Sequence, residues 1–103
     1  MKHNDSVTRT LNAIAAARQA VETARFAQDL LRQDPTAWAF ADAAYWLCRA
    51  AQAACEQAAD ALSPEVAAHF DFHRRALAAA EEAAGYADQL VTLAEEANHI
   101  IRR

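Results

Sequence analysis

Residues 33–65 read QDPTAWAFADAAYWLCRAAQAACEQAADALSPE, opening on Asp34-Pro35 and closing on Ser63-Pro64-Glu65. At both places a residue suited to cap a helix precedes a proline, the residue favoured at a first helical position. A residue before proline avoids the helical region, so one helix ends near Gln33 and another near Leu62. Between the prolines the alanine-rich run has no glycine or further proline to stop it. The stretch therefore reads as one helix with a neighbour on each side. With Asp5 or Ser6 capping the first, the expected helices cover about 6–33, 35–62 and 64–102.

Composition points the same way. Of 103 residues, 30 are alanine, the best intrinsic helix former, and a single glycine and two prolines leave little material for loops. Val and Ile are too scarce to furnish a sheet. The expectation is an all-α single domain over 1–103, an antiparallel three-helix up-down-up bundle with Ala-rich, coiled-coil-like packing and the third helix longest.

Apolar heptads support it. The first helix carries Ala13, Ala17, Ala20, Ala24, Ala27 and Leu31. The second carries Trp38, Ala41, Tyr45, Cys48, Gln52, Cys55, Ala59 and Leu62. The third runs from Val66 through Phe70, His73, Leu77, Ala80, Ala84, Ala87, Val91, Ala94 and Asn98 to Ile101. A further row on the second helix, including Ala44, Leu47, Ala51, Ala54 and Ala58, predicts burial on both flanks between its neighbours. The aromatics Phe26, Trp38, Phe40, Tyr45, Trp46 and Tyr86 are expected to anchor one end of the core. A third helix longer than the others overhangs by about ten residues at 1.5 Å each. Its stripe, Leu93, Ala97, Ile100 and Ile101, predicts self-association there, with a bend at Gly85 as the competing outcome.

The charges narrow the function classes. Fourteen Asp and Glu against ten Lys and Arg give net −4, the wrong sign for a nucleic-acid binder. The N-terminus opens no hydrophobic run that would read as a signal peptide, and no stretch approaches the ~20 apolar residues of a membrane span. Cys48 and Cys55 lie about 10 Å apart along one helix, too far to pair with each other, and read as reduced cytoplasmic thiols. The Ala- and Arg-rich composition suits a bacterial source.

Four groups of residues are candidate sites. Glu81, Glu82, Asp88, Glu95 and Glu96, with no Lys or Arg between Ala76 and Ile101, form an acidic strip that could meet a basic protein partner. Arg18, Glu22, Arg25, Asp29 and Arg32 alternate in sign on the first helix and read as a solvated ladder. His69 and His73, an i, i+4 pair, could hold zinc or copper with Cys55 across the turn at Ser63, and Asp71 or His3 as a fourth ligand. The Glu96-x-x-His99 pattern resembles half of a di-iron site but lacks the further inward carboxylates. Neither a phosphate loop nor a nucleophile elbow is present, and a thiol in an apolar seam is inert. The expected function is that of a small non-catalytic cytoplasmic protein without cofactor, acting by protein–protein contact. Concrete forms are an immunity protein, an antitoxin or an adaptor. The metal-binding bundle and the structural homo-oligomer are the alternatives.

Overall fold

A computed structural model describes residues 2–102, with the side chains of residues 5–68 and 71–97. It is all-helical, without a strand among the described residues. There are four helices and not three: α1 (Lys2–Gln33), α2 (Trp38–Ala61), α3 (Pro64–Phe70) and α4 (Phe72–Arg102). Both proline hinges are real breaks. Ser63 caps α3 with its hydroxyl, which accepts from the Val66 amide at 3.3 Å, and Pro64 follows at the first position. Asp34 does something else. Its carboxylate accepts from the Thr36 amide at 3.0 Å and the Thr36 hydroxyl at 2.6 Å, holding a turn instead of a cap. Helix α2 consequently begins at Trp38, three residues later than expected.

The expected third helix divides at Asp71, the one non-glycine residue with positive φ (58°) among those described. Asp tolerates this left-handed conformation better than most residues, and its carboxylate is held by the Arg74 guanidinium. The ladder resumes at once, the Arg75 amide donating to the Asp71 carbonyl at 3.1 Å. Gly85 lies unbroken within α4, so the break falls fourteen residues earlier than the sequence suggests, and α1, at 32 residues against 31, becomes the longest helix.

Pairwise contacts give the register. The Cys48 thiol donates to the Ala20 carbonyl at 3.5 Å and the Cys55 thiol to that of Ala13 at 3.3 Å, so α1 and α2 run in opposite directions. Arg25 bonds Tyr86 and Gln28 bonds Gln89, a constant offset of 61, so α1 and α4 run together and Ala94 is level with Gln33. The last eight residues of α4 thus extend past α1 by about 12 Å. Each of the three long helices packs on the other two, so α2 is not sandwiched: Ala44, Ala51 and Ala58 of its further row are buried, but Leu47 and Ala54 of that row, with Ala50, are exposed on its outer flank.

The core is built mostly of small side chains. All six alanine and leucine positions of the α1 heptad are buried, as are Ala41, Ala44, Cys48, Ala51, Cys55 and Ala58 of α2. In α4 the inward row is Phe72, Ala76, Ala80, Ala83, Ala87, Leu90 and Ala97. Ala80 and Ala87 of the expected row are inside, but His73, Leu77 and Val91 are exposed, because residues are phased anew after Asp71 and alanine recurs on every side of this helix. Of the expected aromatic anchor, only Tyr45 and Tyr86 pack, half-buried, against the core. Phe26, Trp38 and Trp46 are about 60% exposed and Phe40 40%, since helices that meet over alanine leave no room for rings between them. A smaller cluster, Leu62, Val66 and Phe72 with Val7 and Ala67 against it, closes the opposite end under α3. The result is a rod of 57 × 16 × 15 Å.

Candidate functional site

Helical spacing and packing gather most of the charges along the seams that α4 makes with α1 and α2. On α1 the ladder Arg18 to Arg32 turns toward α4: Arg18 lines a groove with Arg75 and Glu82, and Arg25 Nε donates to the Tyr86 hydroxyl at 2.9 Å. That bond, reinforced by Glu82 and Glu22, raises the Arg25 pKa further. The ladder is more than a solvated decoration, because it fastens α1 to α4.

The α2 charges, Asp42, Arg49, Glu56 and Asp60, follow spacings of seven, seven and four and also share one face. Arg49 is its centre. It donates from Nη2 to Asp88 Oδ1 at 2.7 Å, from Nη1 to Gln52 Oε1 at 2.9 Å and from Nε to the Tyr45 hydroxyl at 3.3 Å. Gln52 passes the chain on to Glu56 at 3.1 Å. The acidic face is therefore composite. Glu81, Asp88 and Glu95 of α4, spaced by sevens, stand beside Asp42, Glu56 and Asp60 of α2, and Arg49 is the single basic residue α2 contributes. Asp42 also lines an apolar notch at the end of this face, formed with Trp38, Tyr45, Leu90, Val91 and Ala94.

The five expected partner residues are all exposed but not all on this face. Glu82 turns toward the α1 groove beside Arg18 and Arg75, and Glu96 follows it two heptads on. The α2 acids were not selected from the sequence. The seven-residue spacing of Asp42, Arg49 and Glu56 was the available signal, and an intervening arginine masked it.

The expected metal residues differ in burial where they are described. Cys55 is fully buried with its thiol bonded to Ala13, His73 is on the surface, and the His69 side chain lies outside the described residues, as do His3 and His99. Asp71 is engaged by Arg74. No group of three His, Cys, Asp or Glu side chains that could hold a metal ion occurs among the described residues. Burial raises the pKa of both thiols, keeping them protonated and unreactive. Of the expected oligomer contacts, Ala97 is buried in the main core and Leu93 is half-buried against it, while the side chains of Ile100 and Ile101 lie outside the described residues. Among the described residues no helix is long and apolar enough to cross a membrane.

No protein-family model, no curated protein and no solved structure matches this chain.

Proposed function

We propose that the protein is a non-catalytic interaction module that docks a basic protein partner on the α2–α4 face, in the manner of an immunity protein, antitoxin or adaptor. Its scaffold is an up-down-up bundle of three long helices packed in coiled-coil style over alanine, with α3 as a cap. The observation that carries the reading is charge segregation: six carboxylates from two helices meet on one face, with Arg49 the one cation bonded into it. A face of one sign steers an oppositely charged partner and sets its orientation. The notch at Trp38 supplies apolar and aromatic surface beside the carboxylates, the combination that anchors interfaces. Two free, buried cysteines fit a reducing, cytoplasmic setting.

The test is to recover the partner by affinity capture from the source cells and measure its association rate in a salt series. Rising salt should slow association, and Glu81→Lys with Glu95→Lys should weaken binding roughly tenfold or more with unchanged helicity. Binding indifferent to salt and to both substitutions sinks the proposal.

A further inference from the structure

The opposite side of the molecule is sparse in charge past Arg9, which lines the α1–α2 groove beside Asn12, Ala16, Ala54 and Gln57. Every charged residue of α1 from Thr10 to Gln33 lies in the single stripe from Arg18 to Arg32, and every charged residue of α2 lies on the α4 side. The outer α1–α2 face consequently offers alanines, amides and three large exposed apolar groups: Phe26 (60%), Phe40 (40%) and Leu47 (51%). In a chain of which 23% is charged, a face without charge from Thr10 to Gln33 of α1 calls for an occupant.

The relief of this face says which occupant. At one end Phe26 and Phe40 meet edge to face across the two helices, centroids 5.6 Å apart, as a raised knob. From the level of Thr23 and Leu47 toward the other end runs the α1–α2 groove, floored by alanines and ending at Ala16 and Ala54 beside Arg9. Leu47 sits midway: Phe40 precedes it by seven residues and Ala54 follows it by seven, about 10 Å each way. The level of Leu47 on α1 is Val21, by the register that the two cysteine bonds set, and Phe26 and Ala16 lie five residues to either side of it. A two-fold axis across the rod at this level therefore lays Phe40 over Ala54 and Phe26 over Ala16 of a second copy, with Leu47 meeting Leu47 on the axis.

We propose that the α1–α2 face binds a second copy of this chain, antiparallel, as an isologous homodimer. Knob and hollow are supplied by the same surface, which is the requirement for self-recognition. Charge allows it, since a protein of net −4 meets its own copy without repulsion only through a face that carries no carboxylate. Size allows it too: two helices side by side over about 33 Å present on the order of 700 Å2, near the roughly 800 Å2 each partner buries in a stable complex. The acidic α2–α4 faces then point outward, one on each copy.

The experiment is a mass determination of the full chain by sedimentation equilibrium over a dilution series. The wild type should give a dimer mass that falls to monomer on dilution. Leu47→Glu sets two carboxylates against each other on the axis and should raise the dimer dissociation constant about a hundredfold or more, with the helical circular dichroism unchanged. Mixing it with Leu47→Lys should restore a dimer of one copy of each, which a misfolded variant cannot do. Val91→Lys, on the other side of α2, should leave the dimer intact. A monomer at every concentration, or a dimer indifferent to Leu47→Glu, overturns the proposal.

Discussion

Cys48 and Cys55 show how much a single side chain does in a core this narrow. Each thiol is fully buried and spans to a carbonyl of α1, so the pair fixes the relative height of two helices whose alanines would fit equally well one turn higher or lower. Burial raises both thiol pKa values, and the sign follows: the protonated thiols contribute stability below the unfolded-state value, lost as pH rises through the folded one. At pH 8, alkylation of the native protein by iodoacetamide should run at least about a hundredfold slower than in denaturant, tracking opening of the bundle. Equal rates in the two states would show that the thiols are not enclosed. Asp71 follows the opposite rule. The bond from Arg74 holds its carboxyl below the usual range, so this contribution is present above about pH 4 and fades as pH falls further. Because its backbone is left-handed, Asp71→Val should lower Tm by roughly 5 °C or more while Asp71→Gly keeps it, a contrast that thermal melts read directly.

Among the elements, α4 separates what periodicity can and cannot reveal. Gly85 is exposed within an unbroken helix, and a Cβ placed on it meets nothing within 4 Å. Gly85→Ala should therefore stabilise by about 0.5–1 kcal/mol, a rise in Tm of about 2–8 °C in calorimetry. No change, or a fall, would mean that the glycine serves a bend after all. The helical class, the hinges at Pro35 and Pro64 and the inward row of α1 were all legible in the sequence, because proline and capping residues act locally. The break at Asp71 was not, since an aspartate in a left-handed conformation looks like any other aspartate. Once that break re-phases α4, alanine on every face leaves hydropathy unable to choose between Leu77 and Ala76 for the interior. The acidic face was half legible: the α4 carboxylates stood out, and the α2 carboxylates joined them only when Arg49 was seen to bridge to Asp88.

For the molecule as a whole, two faces with different character follow from one economy: alanine seams draw the helices together and leave Phe26, Phe40, Trp38, Trp46 and Leu47 on the outside. Most charged residues gather where α4 meets its neighbours, while Phe26, Phe40 and Leu47 mark the side where α1 meets α2. The two proposed contacts are thus governed by different forces, one weakened by salt and the other indifferent to it. The slender outline has its own effect in solution. With a radius of gyration of 16.1 Å, against about 13 Å for a compact chain of this length, one copy sweeps out the volume of a heavier particle as it tumbles. On a sizing column calibrated with round standards it elutes early and passes for a larger species, so only scattering intensity or sedimentation can count its copies.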